Sequence, residues 1–338
     1  MKKKLLAMTL VSALCAGMLA GCGGGSSAST DSTGDSGSTA SGDAYNVTVI
    51  VKHTDGHFNK VIAGARAYGS EHDNVNVEIQ SPTSATSYDE QVNMIETALG
   101  NPGIDAVVIA PQQSTSTATL VDTATKPVVA LDTDFTSDKK ACFVGTGNED
   151  AALNGGKAVA EACKALGKDK PTAVIIAGVQ GDETHEARLR GYRSAVEQAG
   201  GTVLEVQYCD AQPDRAAAAM ETVMQKYPQG VDALLVTSDD MALAAIKCIW
   251  DNNSAAYRKT VICGFDGNQA AVEALDRGEL TVDIAQQGYE MGYKAVEAAL
   301  DALEGKSVES VIDSGSEVIT ADNIDAYIAD CREKGLWS

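Results

Sequence analysis

Carboxylates and amides recur at one kind of place in this sequence, directly after short runs of apolar, β-branched residues. Asp55 follows Val47–Val51, and Asp132, Thr133 and Asp134 follow Val128–Leu131. Ser238, Asp239 and Asp240 follow Ala233–Val236, Asp266 follows Val261–Cys263, and Gln286 follows Val282–Ala285. An ionised carboxylate offers two acceptor oxygens and no donor, so it binds a neighbouring pair of hydroxyls through charge-assisted bonds. Phe58, Phe135 and Phe265, three of only four Phe, fall in the same loops, where a ring can cover an apolar C–H face. Paired carboxylates such as Asp132 and Asp134 also raise a glycosidase, which needs an acid and a base or nucleophile at a set separation. A spacing of two along a loop does not supply that separation. The sequence has no G-x-S-x-G, H-E-x-x-H, P-loop or dinucleotide glycine pattern, and His53, His57, His72 and His185 lack metal-ligand spacing. No metal, cofactor or catalytic residue is expected. His53 and His57 are placed towards a cleft, His72 and His185 on the surface.

The elements that must position these residues alternate. Apolar runs at Val47–Val51, Val75–Ile79, Ala106–Ile109, Val128–Leu131, Phe143–Val144, Ala173–Ala177, Val203–Val206, Ala233–Val236, Val261–Cys263 and Val282–Ala285 are separated by stretches of helical spacing, such as Tyr192, Ala195, Val196 and Ala199. Nearly all-apolar strands between amphipathic helices predict parallel sheets covered on both faces. Ten such units exceed what one sheet usually carries, so the fold class is α/β with two doubly wound lobes; an eight-stranded barrel is the rival. Ligands of open parallel sheets sit beyond the carboxyl ends of the strands. Two facing lobes therefore gather the strand-end residues into one cleft. The competing role for Asp is helix capping, and one of Asp239 and Asp240 is expected to cap the helix that carries Met241.

Composition narrows the partners. The 338 residues carry 47 Asp and Glu against 26 Lys and Arg, a net charge of -21. Without a basic stripe, nucleic acid is excluded as a partner. Lys2, Lys3 and Lys4 followed by the apolar run Leu5–Met18 predict an export signal over residues 1–21, too short to span a bilayer. Leu19-Ala20-Gly21-Cys22 resembles a bacterial lipobox, which makes Cys22 the lipidated residue and the membrane a partner through the acyl chains. Residues 22–45, rich in Gly, Ser, Thr and Ala, read as a flexible tether. Cys142, Cys163, Cys209, Cys248, Cys263 and Cys331 remain; none form C-x-x-C, and a single disulfide among them stays open.

Six ordered segments then resemble the ribose/galactose type of periplasmic binding protein, the solute receptors of sugar ABC importers. They are His57-Phe58 with Gly64-Ala65; Pro127 to Asp132; Arg188-Leu-Arg-Gly191-Tyr192; Asp239-Asp240-Met241-Ala242-Leu243; Gly264-Phe265-Asp266-Gly267; and Ile284-Ala285-Gln286. The resemblance implies two lobes joined by three crossovers, with lobe one at 46–147 plus 287–314 and lobe two at 148–286 plus 315–338. It implies a monomer that closes by hinge motion on a sugar or polyol and docks on an ABC permease, and Asp55, Phe58, Asp132, Asp266 and Gln286 as ligand contacts. His57, Thr133, Asp134, Glu186, Arg188 and Ser238 complete the expected site. Thr133 stands where such receptors often have Arg, Ser238 where they often have Asn, and Glu186 where a second sugar-contacting Arg is usual. Fewer arginines and the added acids Asp134 and Glu186 argue against ribose itself and against an anionic solute. A neutral sugar or polyol is the first expectation; an amino sugar, a nucleoside or another cation-bearing solute is next, and a sensor feeding a membrane receptor is the functional rival.

Overall fold

Strand β1 (Tyr45–Ile50) opens the computed structural model, which describes residues 44–337. The signal segment, Cys22 and nearly all of the tether lie outside the described residues. Tyr45, assigned above to the tether, is already in β1. Every residue from Val47 to Ile50 is buried, because a parallel strand covered on both faces has no solvent side.

Lobe one is a six-stranded parallel sheet in the order β11-β5-β4-β3-β1-β2, formed by β2 (Val75–Gln80), β3 (Ala106–Ile109), β4 (Val128–Leu131), β5 (Lys140–Gly145) and β11 (Val311–Asp313) with β1. Helices α1 (Gly56–Glu71) and α9 (Gly288–Leu303) pack on one face through Phe58, Val61, Ala65, Met291, Ala295 and Val296. On the other face, α2 (Tyr88–Gly100) and α3 (Ser114–Val121) bury Ile95, Ala98 and Val121. Lobe two has the parallel order β7-β6-β8-β9 from β6 (Thr172–Ala177), β7 (Thr202–Tyr208), β8 (Ala233–Val236) and β9 (Val261–Cys263). Strand β10 (Asp283–Gln286), with the preceding Val282, continues this sheet through single parallel bridges, Val282 to Cys263 and Ala285 to Asp266, and β12 (Ser316–Ile319) pairs antiparallel with β10. Helices α4 (Asn148–Ala165) and α5 (Glu183–Gln198) cover one face of lobe two. The other face carries α6 (Pro213–Lys226), α7 (Asp239–Asp251), α8 (Gln269–Asp276) and α10 (Ile324–Glu333).

The chain passes between the sheets three times: from β5 to α4, from β10 to α9, and from β11 to β12. Strands β11 and β12 were not read from the sequence. Val311 is exposed and Ser316 and Glu317 face solvent, so these short edge strands lack the apolar run that marked the others.

All six described cysteines are buried and free. Burial pushes the thiols of Cys142, Cys163 and Cys209 up to about 11. A thiol reagent at pH 8 should therefore react with none of them in the folded protein and with all of them in denaturant; rapid reaction of any before unfolding would contradict this placement.

Candidate functional site

Where the two sheets turn their carboxyl edges towards each other, a cavity of about 240 Å³ remains. Lobe one lines it with Lys52, His53, Asp55, His57, Phe58, Gln112 and Asp132, and lobe two with Asp182, His185, Arg188, Ser238, Asp240, Asp266 and Asn268; Gln286 lies at a crossover.

Asp132 begins the loop after β4 with φ 62, a backbone state that Asp and Asn tolerate better than most residues. Its Oδ1 accepts from His57 Nε2 at 2.8 Å, its Oδ2 accepts from Thr133 Oγ1 at 3.0 Å, and Lys52 Nζ lies 3.6 Å away. Burial alone would raise its pKa, but the Lys52 ammonium and the His57 bond outweigh burial and hold the carboxyl well below the usual range. Asp132 is therefore an anion inside the cavity.

Asp266, on the other lobe, has φ 132. Its Oδ1 accepts from Gln286 Nε2 at 2.6 Å and from Arg188 Nη1 at 3.4 Å. Burial raises its pKa against the opposing pull of Arg188. The guanidinium of Arg188 lies 3.7 Å over the Phe265 ring and donates to Thr237 O at 2.8 Å and Asn148 Oδ1 at 2.9 Å, so its position is fixed from three sides. Gln286 is held in turn by Thr146 Oγ1, which donates to its Oε1 at 2.9 Å.

Asp55 caps α1 by accepting from Phe58 N at 2.7 Å and meets His53 Nε2 at 2.9 Å. Burial raises its pKa, and the His53 bond and the His57 charge more than reverse that. The cap sets the first turn of α1 so that His57 and Phe58 line the cavity. Capping and site placement are thus combined in one residue rather than alternatives.

Several expectations need correction. Glu186 is not on the cavity wall: it accepts from Gly181 N at 2.9 Å and Tyr208 OH at 3.1 Å. Asp134 accepts from Phe135 N and pairs with Lys140, away from the cavity. Thr133 is buried behind the wall, bonded to Asp132 and, across the lobes, to Thr184 Oγ1 at 3.2 Å. Phe265 lies wholly beneath Arg188, and Phe135 packs in lobe one with Ile95 and Val121, so Phe58 is the one Phe on the wall. His185 is in the cavity, not on the surface. Its Nδ1 pairs with Thr237 Oγ1 at 2.9 Å, and burial with the nearby Arg188 charge lowers its pKa to about 4, leaving the ring neutral at pH 7. Neither Asp239 nor Asp240 caps α7. Ser238 takes that position without a side-chain bond, Asp239 is fully buried, and Asp240 lines the cavity.

Lys52, Gln112, Asp182 and Asp210 line the cavity without having been singled out. Each follows a strand end, after β1, β3, β6 and β7, so the rule that found Asp132 applied evenly would have found them.

Residues 47–307 match the family model described as periplasmic binding protein domain. The chain belongs to this family. Among its relatives, the ribose import binding protein of Bacillus subtilis is 31% identical over 214 residues, 62% of this chain and 67% of that one. Among solved structures, a glucose-galactose binding protein from Geobacillus stearothermophilus superposes with a TM-score of 0.76 at 28% identity, over 83% of this chain and 99% of that one. A carbohydrate transporter solute binding protein from Agrobacterium radiobacter, in complex with D-arabinose, gives 0.76 at 25% identity, over 85% and 98%. This periplasmic binding protein has the two-lobe α/β fold of those structures, and the cavity described above lies between its lobes.

Proposed function

We propose that this chain is the solute receptor of an ABC importer, closing on a single monosaccharide or small polyol and handing it to a permease. It is a binding protein, not an enzyme. The observation that carries the reading is the pairing across one cavity of two immobilised carboxylates, Asp132 from lobe one and Asp266 from lobe two, beside the ring of Phe58. Two acceptor pairs with an apolar ring fit a molecule that carries hydroxyls on its edge and C–H groups on its face. The cavity lies below the range of about 300–1,000 Å³ common for drug-sized ligands, which favours one sugar ring over an oligosaccharide. Titration calorimetry against pentoses, hexoses, inositols and amino sugars should give one class with clear heat, and a flat response to all of them would overturn the assignment.

A second reading is an amine-bearing sugar. Asp240 lines the cavity without a salt bridge among the described residues, and burial together with Asp266 and Asp55 raises its pKa against the weaker pull of His53, so it favours a ligand that brings a positive charge. The amino sugars in the panel decide between the two.

The protein is further proposed to work outside the cytoplasmic membrane, held there by lipid on Cys22. Support comes from the basic start, the apolar run and Leu19-Ala20-Gly21-Cys22 in the sequence. Substituting Cys22→Ser should move the full-length protein from the membrane fraction to the soluble or unprocessed fraction; retention of normal processing and membrane association would exclude this anchor.

A further inference from the structure

Behind the lobe-two wall lies a group of acids that the cavity does not use. Asp239 and Asp283 are both 0% exposed. A Cβ added to Gly264 would stand 2.5 Å from Asp239 Oδ1 and 3.2 Å from Asp283 Oδ1, so the two carboxyl groups converge on the bare Cα of that glycine. Asp239 Oδ2 accepts from Asn268 N at 2.7 Å, while its Oδ1 and both oxygens of Asp283 have no donor among the described residues. Two carboxylates so close and so dry cannot both ionise freely, and the pair shares a proton. Burial pushes the Asp283 carboxyl up to about 6, and burial with the neighbouring Asp283 charge raises that of Asp239 well above the ordinary carboxylate value. Asp266, Tyr192, Cys263, Tyr327 and Cys331 complete the surroundings, and none is a cation.

The cation that acts on the pair comes from the other lobe. Lys60, on α1 of lobe one, is 5% exposed and donates to Asp266 O at 2.8 Å and Gly267 O at 3.1 Å. Burial lowers the Lys60 pKa, and the nearby charges of Asp239, Asp266 and Asp283 oppose that and favour its ammonium.

We propose that Lys60 is a positioning residue for lobe closure whose ammonium, on reaching the seam, expels a proton from the buried Asp239–Asp283 pair to solvent. The inference rests on the closure proposed above but not on the identity of the solute. When the lobes part, α1 carries Lys60 away, and the pair, now without a neighbouring cation, holds its proton to higher pH. Closure therefore releases a proton at pH values above about 6 and below the open-state value. In that window affinity rises with pH, at most tenfold per pH unit, and below it affinity is flat.

The hydroxyls of Thr133 and Thr184, 3.2 Å apart across the lobes, offer a lock that needs no ligand. In the double variant Thr133→Cys/Thr184→Cys, 13C NMR of the aspartate carboxyls, with Asp283 assigned through Asp283→Asn, follows titration in the oxidised and reduced forms. The expected result is that locking increases the Asp283 proton dissociation constant at least tenfold, and that adding Lys60→Met abolishes the difference. Identical midpoints in the two forms, or a difference that survives Lys60→Met, would overturn the proposal. On the wild-type chain, calorimetry in phosphate and in Tris at pH 7, with D-galactose, D-arabinose and myo-inositol from the panel as probes, gives a companion measurement. Binding enthalpies that differ with the buffer support proton release, and measurable binding with equal enthalpies counts against it. A sugar panel without response would remove the assigned solute class and leave the NMR result to decide the role of Lys60.

Discussion

Asp132→Asn is expected to weaken solute binding about 100-fold, the upper part of the roughly 1.5–3 kcal/mol that a hydrogen bond to a charged group contributes. Asn keeps the size of the side chain and tolerates φ 62, so the loop survives, but the charge around which Lys52, His57 and Thr133 are arranged is gone. Calorimetry with the sugar found by the panel measures the loss, and wild-type affinity in the variant would remove Asp132 from the site. The same variant has a signature in stability. Despite burial, Lys52 and His57 depress the Asp132 pKa in the folded state. Its stabilising contribution is thus present above the unfolded value, about 3.9, and is lost as pH falls through the lower folded value. Urea melts at several pH values below 5 should show a shallower acid loss in Asp132→Asn than in the wild type.

The largest expected effect on stability is at the contact of α1 with α9. A Cβ on Gly64 would lie 1.8 Å from Tyr289 O, and one on Gly292 would lie 1.9 Å from Val61 O. Backbone oxygens cannot rotate aside, so even Ala forces the helices apart. Gly64→Ala or Gly292→Ala should each cost about 3 kcal/mol or more, against a helix-propensity gain of only about 1 kcal/mol. Thermal melts should show a fall of about 5 °C or more. Because α1 also carries His57 and Phe58 into the cavity, sugar affinity should fall with it. Gly100→Ala, at the end of α2 with nothing near its Cβ, is the control and should leave the melt unchanged; an equal loss there would refute the steric account.

What was legible in the sequence follows from how strongly each feature was written. Strands such as Val47–Ile50 and Ala233–Val236 are buried on both faces, and their nearly continuous apolar, β-branched runs marked them. Strands β11 and β12 lie at edges and are half polar, so composition had no reason to reveal them. In the site, Asp132, Asp266 and Gln286 were found because each interrupts or ends an apolar run. Glu186 was misplaced because its position was judged by spacing from Gly191-Tyr192. That spacing fixes where the residue lies along α5 but not which way it points, and its side chain turns to Tyr208 while Arg188, two residues on, turns to Asp266. His185 was taken for surface since its partner, Thr237, lies 52 residues away at the end of β8, a contact that no local pattern announces.

The backbone at Asp132 and Asp266, with φ 62 and 132, also bears on how a receptor of this shape changes its solute over time. Non-glycine residues there are strained, and Asp, Asn and Gly are the side chains that such backbone tolerates best. Those two positions are consequently narrow channels for mutation: most single-residue changes would disturb the loop before they altered selectivity. Ser238, Gln212 and Thr86 line the same cavity without positive φ and are open to wide substitution. Descendants of this scaffold with new preferences should differ first at those three, and a directed library confined to them samples specificity at little cost in folding.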